Sequence, residues 1–244
     1  MTCWRRLPAL LPALFLILAM AGCSSLPGRP GLGPEVQRPS DVMNFGVLYK
    51  QNCSGCHGPE GRGGPAFPLA DPVYLSIVND ATLRTITAQG VPNSLMPAFA
   101  RSAGGMLTDQ QIDAIVEGMR KNWAKPGILA GVTPPPYSAP LGDPKRGTQV
   151  YQTFCQSCHG PGGKGGAKAS SIVDGSYLGL VSDQELRTDV ICGWPHLGAP
   201  DWRSDVPGHP MTAQEIADVV AYLAAQRPKF PGRPYPGQPS RRRK

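Results

Sequence analysis

The sequence predicts an all-α protein built from two homologous helical domains in tandem, and three observations carry that reading. An internal repeat runs through the chain: Gly46-x-x-Tyr49-x-x-x-Cys53-x-x-Cys56-His57-Gly58-Pro59 returns as Gly147-x-x-x-Tyr151-x-x-x-Cys155-x-x-Cys158-His159-Gly160-Pro161. Each copy closes on the pattern of a capped amphipathic helix. No segment shows the period-two alternation of a half-buried strand.

The elements follow in order. Residues 1–22 read as an export signal, with Arg5 and Arg6 ahead of an apolar run from Leu7 to Met20 and the small pair Ala21-Gly22. That run is short for a bilayer span and holds Pro8 and Pro12, which favours cleavage over an uncleaved signal anchor. Leu18-Ala19-Met20-Ala21-Gly22-Cys23 resembles the lipobox of bacterial lipoproteins, although Met20 stands where Leu is usual. The resemblance implies that Cys23 is acylated, anchoring the chain to a membrane with its body in an oxidising, extracytoplasmic (periplasmic) compartment. Residues 23–39 are a Pro/Gly-rich tether.

The first domain is expected over residues 40–125, with Ser40 or Asp41 opening the helix that leads into the first cysteine pair. Thr108-x-x-Gln111 is a capping-box pattern, and behind it Ile112, Ile115, Val116 and Met119 fall on one helical face. Residues 126–140, with the run Pro134-Pro135-Pro136, are expected to be an irregular linker. The second domain, over residues 141–227, opens on Asp143-Pro144, a helix cap followed by proline at the first helical position. It closes on Thr212-x-x-Glu215 and the stripe Ile216, Val219, Val220 and Leu223. Residues 228–244 form a basic, Pro-rich tail.

Composition narrows the function classes. With 30 Gly, 28 Pro and 7% aromatics, each domain buries little apolar surface by itself and calls for a covalent staple. The net charge of +7 is concentrated after Gln226, in Arg227, Lys229, Arg233, Arg241, Arg242, Arg243 and Lys244. A nucleic-acid binder would spread such charge over a folded face, so no nucleic-acid partner is expected.

The cysteines supply the staple. Cys3 leaves with the signal and Cys23 takes the lipid, while Cys53 with Cys56 and Cys155 with Cys158 form two pairs, each followed at once by a histidine. A disulfide pair needs no such histidine, and a zinc site needs further ligands. In Cys-x-x-Cys-His the two thiols add to the vinyl groups of a haem, and the histidine, one helical turn on, supplies an iron ligand. The expectation is two covalent haem c groups, with His57 and His159 as proximal ligands. Cys192 is left over and reads as a buried small residue.

On these residues each half resembles a small class I cytochrome c domain, a helical bundle wrapped round one haem. The resemblance implies that the first and last helices of each half cross, with Gly46 and Gly147 at the crossings. Ser94-Leu95-Met96-Pro97-Ala98-Phe99 resembles the family's axial-methionine loop and implies Met96 as sixth iron ligand, with Met106 the rival. Pro65 falls where the family uses a proline carbonyl to hold the proximal histidine.

Carried into the second half, this register puts Ala199 over Met96 and Ala167 over Pro65. Alanine cannot ligate iron, which leaves His196, His209 or Met211 as substitute ligands, or an open site. The implied function is electron transfer with redox proteins or a membrane respiratory complex, and no catalytic residues are expected. The alternative is an open second haem that acts as a small-ligand-binding or peroxidase-like centre.

Overall fold

The computed structural model describes residues 36–92, 94–204 and 206–229. The expected export signal, the lipidation site Cys23, most of the tether and the tail from residue 230 lie outside these residues. Of the described residues, 36–41 belong to one unit and those from Val42 onward to a second, the body. Within that first unit Arg38 pairs with Asp41 at 2.9 Å.

The body repeats one helical order twice. In the first half it runs α1 (Phe45–Asn52), α2 (Ser54–His57), α3 (Pro72–Ile77), α4 (Asp80–Gln89) and α5 (Asp109–Trp123). In the second it runs α6 (Pro144–Phe154), α7 (Gln156–His159), α8 (Gly175–Leu180), α9 (Asp183–Cys192) and α10 (Ala213–Ala224). The described residues hold two isolated β-bridges, Ala100 with Leu107 and Trp194 with Ala199, and no longer strand.

Local chemistry sets the helix starts. Both capping boxes form: Thr108 Oγ1 accepts from the Gln111 N–H at 3.2 Å, and Thr212 Oγ1 accepts from the Glu215 N–H at 3.2 Å. Asp143 caps α6, accepting from the Lys145 N–H at 2.7 Å. In the first half the cap is neither Ser40 nor Asp41. It is Asn44, whose Oδ1 accepts from the Val47 N–H at 3.0 Å, while Asp41 is engaged with Arg38. The stripes of α5 and α10 are buried and belong to one apolar cluster that runs through both halves.

The crossings of the terminal helices correct the glycine expectation. On α6, a Cβ at Gly147 would lie 2.0 Å from the Asp218 carbonyl oxygen and 2.7 Å from Tyr222 Cβ, so only glycine lets α10 approach there. At Gly46 a Cβ would meet nothing nearer than Asn44 Oδ1 at 3.3 Å. The tight glycine of the first half is instead Gly118 on the opposite helix, where a Cβ would sit 2.2 Å from the Phe45 ring.

The Pro-rich segment 126–140 carries no helix, as its composition predicts, yet it is strapped to the body. Arg187 Nη2 donates to the Pro136 carbonyl at 2.8 Å, Gln184 Nε2 to the Tyr137 carbonyl at 2.8 Å and Arg203 Nη1 to the Ile128 carbonyl at 3.3 Å. The described residues from Val42 to Lys229 form a single unit. Aromatic packing seats this segment and joins the halves: the Tyr74 ring of α3 lies 6.3 Å from Tyr137, and the Phe67 ring lies 5.9 Å from Trp194 of the second half.

Candidate haem sites

In each half the first helix ends at the first cysteine, and the one-turn helix behind it, α2 or α7, carries the second cysteine and the histidine. The Cys53 carbonyl accepts from the N–H groups of Cys56 at 3.2 Å and His57 at 3.0 Å, and the Cys155 carbonyl does the same for Cys158 and His159 at the same distances. A tyrosine one turn earlier locks the exit: Tyr49 donates its hydroxyl to the Gly58 carbonyl at 2.8 Å, and Tyr151 to that of Gly160 at 2.6 Å. None of the four cysteines is paired in a disulfide. Burial, then the neighbouring Cys56, pushes the Cys53 thiol up to about 12.

The histidines are oriented from behind. Nδ1 of the buried His57 lies 2.7 Å from the Phe67 carbonyl, and Nδ1 of His159 lies 2.9 Å from that of Ser170. A carbonyl accepts only, so each Nδ1 carries the proton and each Nε2 presents its lone pair, the arrangement a metal-bound histidine needs. Burial holds His57 below its ordinary pKa, which keeps the imidazole neutral. The carbonyl behind His57 is that of Phe67, not of Pro65. The Ala66 N–H is tied to the Cys56 carbonyl at 3.0 Å, and the carbonyl that meets the ring comes after that tie.

The loops that follow α4 and α9 leave through Gly90 (φ +70°) and Gly193 (φ +65°), a backbone region that L side chains rarely enter. Both loops then fold back in the same way. The Val91 N–H donates to the Met96 carbonyl at 3.1 Å, and the Trp194 N–H to the Ala199 carbonyl at 2.9 Å, so residues 96 and 199 hold equivalent backbone positions. Met96 is half-buried, whereas Met106 is 79% exposed.

The three substitute candidates of the second half stand differently. His209 is engaged, with Nε2 3.2 Å from Glu215 Oε1 and its ring 5.0 Å from Phe154. Met211 is a core residue, buried and bonded through its N–H to the Trp202 carbonyl at 2.8 Å, as Leu107 is to that of Phe99. His196 is exposed on the returning loop, its ring 5.6 Å from Trp194. Trp194 in turn donates Nε1 to Asp189 Oδ1 at 3.0 Å. Cys192 is fully buried at the end of α9.

Sequence reasoning missed Phe67, Ser170 and Trp194. The first two act through main-chain carbonyls, which leave no trace in residue type. The signal for Trp194 was available, since a tryptophan stands where the first half has Val91.

Among the described residues no three His, Cys, Asp or Glu side chains gather as a bare-ion site. The donors present are two thiols and one histidine per turn, which fit haem c.

Comparison with known proteins agrees. Residues 41–117 match the family described as cytochrome c oxidase, cbb3-type, subunit III, and residues 144–226 match the family described as cytochrome c. The chain is a tandem-domain cytochrome c. Its two cytochrome c domains imply haem c as the group held.

This tandem cytochrome is 29% identical over 160 residues to the cbb3-type cytochrome c oxidase subunit FixPc of Rhizobium leguminosarum bv. viciae, a match covering 59% of this chain and 50% of that one. It is 24% identical over 218 residues to a cytochrome bc1 complex cytochrome c subunit of Mycobacterium bovis, covering 86% and 73%. A CcoP subunit of cbb3-type cytochrome c oxidase from Rubrivivax gelatinosus is 32% identical over 120 residues, covering 48% and 34%. The tandem cytochrome thus spans about half the length of the FixPc relative. No helix among the described residues is long and apolar enough to cross a membrane.

Proposed function

We propose that this protein carries electrons between partners of a membrane respiratory complex, through two covalently bound haem c groups. The carrying observation is the duplicated turn: two cysteines outside any disulfide and a histidine whose Nδ1 is held by a backbone carbonyl, at 2.7 Å in one half and 2.9 Å in the other. Cys53 and Cys56 hold one haem and Cys155 and Cys158 the other, by thioether bonds, with His57 and His159 as proximal ligands. When bound, such a group supplies a one-electron iron couple, and the protein sets its potential through the axial ligands and burial.

Met96 is the sixth ligand of the first site. His196 takes that role in the second, because His209 is committed to Glu215 and Met211 to the core. The matched relatives are named as subunits of cbb3-type oxidases and of a bc1 complex, which supports a respiratory partner. The domains span residues 40–125 and 141–227, and residues 1–22 direct export. Lipid on Cys23 then anchors the protein on the periplasmic side of a membrane; multiple acyl chains hold firmly where one is marginal.

Mass spectrometry of the mature chain tests the reading. Two haem additions are expected, falling to one in Cys155→Ser/Cys158→Ser and in Cys53→Ser/Cys56→Ser. A native chain with one addition or none overturns it. Cys23→Ser is expected to release the protein from membranes or block its processing.

A further inference from the structure

The two proximal histidines belong to different halves, and an aromatic contact bridges the ground between the sites. Phe67 gives its carbonyl to His57 at 2.7 Å, and its ring meets the ring of Trp194 edge-on, centroids 5.9 Å apart at 84°. The Trp194 ring lies in turn 5.6 Å from that of His196. One residue from each half therefore spans the junction, each next to an iron-ligand position of its own half.

Both rings are held. Phe67 is buried and packs edge-on against Tyr74 at 5.2 Å. Trp194 is fixed by its Nε1 bond to Asp189 at 3.0 Å and by two main-chain bonds with Ala199, at 2.9 and 3.2 Å. Around them α3 packs against α9, with Tyr74 and Cys192 buried. The segment at Pro136 and Tyr137 is bonded to Arg187 and Gln184 of the second half, and its Tyr137 ring lies 6.3 Å from Tyr74 of the first.

We propose that Phe67 and Trp194 are the positioning residues for electron transfer between the two haem sites, the pair of rings through which one half is electronically coupled to the other. The inference rests on the two-haem reading above. With haem c held in both halves, the exchange between them would be of a single electron, with no bond made or broken and no proton required at either ring. Electronic coupling decays faster across empty space than through packed atoms. A ring contact beside both ligand positions is therefore the favoured route, and removing a ring opens a gap in it.

The test uses the full chain carrying both haems, with the spectra of the two sites telling them apart. One site is reduced by a brief pulse and the redistribution of the electron is followed in time. Trp194→Leu and Phe67→Leu are each expected to lose the fast redistribution phase, while Trp194→Phe, which keeps a ring, restores it. Phe67→Leu keeps the main-chain carbonyl, so the hydrogen bond to His57 survives.

Both haem spectra are expected to keep their ligand signatures, which loss of a ligand or of the local fold would not allow. Independently of haem reduction, the Tm losses of the two leucine variants are expected to be non-additive in the double variant, as for side chains in contact. An unaltered fast phase in Phe67→Leu and Trp194→Leu overturns the proposal, and so does loss of a haem spectrum in both. Failure of the two-haem reading is a separate result, visible in the mass of the unmodified chain.

Discussion

Phe45 lies in the space that Gly118 leaves on the facing helix, and the second half fills the same space from the other side. There Gly147 is the small partner and Tyr222 the large one. Counted back from the tyrosine that locks each motif, Phe45 and Gly147 are equivalent, each four residues ahead of Tyr49 or Tyr151. Gly118 and Tyr222 are likewise equivalent, each one residue before the last stripe position, Met119 or Leu223. In both halves an aromatic ring reaches the locking tyrosine, Phe45 at 5.9 Å from Tyr49 and Tyr222 at 5.3 Å from Tyr151. Only the helix that supplies the ring has changed.

This reciprocity is testable by exchange. Gly118→Tyr alone is expected to destabilise by about 1–3 kcal/mol or more, as overpacking does. Phe45→Gly alone leaves a cavity and costs about 3–5 kcal/mol. The double variant reproduces the arrangement of the second half and is expected to be more stable in thermal unfolding than the sum of the singles predicts. Strict additivity would show that the two crossings are not interchangeable.

The same positions show what a sequence can and cannot disclose. The capping boxes at Thr108 and Thr212 and the stripes behind them were legible because a helix start and a buried face are encoded within one segment. Gly46 was misplaced because size complementarity belongs to a pair of helices. The clue was the spacing, since Gly46 precedes its tyrosine by three residues and Gly147 by four. The Cys-x-x-Cys-His turns were legible because their chemistry is local. The Phe67 and Ser170 carbonyls were not, because any residue type supplies a carbonyl.

Arg227 looks like the first residue of the basic tail, but it belongs to the fold. Its guanidinium donates to the Leu178 carbonyl at 2.8 Å and the Val181 carbonyl at 3.0 Å and pairs with Asp183 at 2.6 Å. Arg120 performs the same task in the first half, bonding the carbonyls of Leu75 and Val78 and pairing with Asp80. Arg227→Ala is expected to cost about 1–3 kcal/mol, the range for charge-assisted hydrogen bonds, and to speed amide exchange in α8 and α9. A chain ending at Lys229 is expected to keep the native stability and both haem spectra, whereas one ending at Gln226 is not.

Two carboxylates give the stability opposite dependences on pH. Asp218 accepts from Arg146 at 2.8 and 2.9 Å and from the Asp143 N–H at 2.7 Å, and Arg146 above all holds its carboxyl below the usual range. A carboxyl with a lowered folded pKa stabilises above its unfolded value, about 3.9, and that contribution is lost as pH falls through the folded value. Asp189 is the reverse case, pushed up to about 7 chiefly by burial. The folded state then holds its proton more tightly than the unfolded one, so stability falls as pH rises from about 4 towards 7. Denaturant unfolding across this range is expected to lose the acid-side decline in Asp218→Asn and the decline towards neutrality in Asp189→Asn.

The inequality of the two sites turns on one side chain. Main-chain hydrogen bonds of 3.1 and 2.9 Å hold residues 96 and 199 in the same turn after equivalent glycines, so what separates them is a methionine in one and an alanine in the other. Met96→Ala is expected to abolish the methionine-to-iron charge-transfer band of the oxidised protein and to lower the potential of the first haem, since a thioether favours reduced iron. Ala199→Met is expected to do the converse, adding a second such band and raising the potential of the second haem. His196→Ala should leave that second site open to cyanide or carbon monoxide in the native background and closed in the Ala199→Met background. A second haem whose spectrum ignores both His196→Ala and Ala199→Met would mean that the returning loop does not face the iron, and would remove both His196 and position 199 from the ligand set.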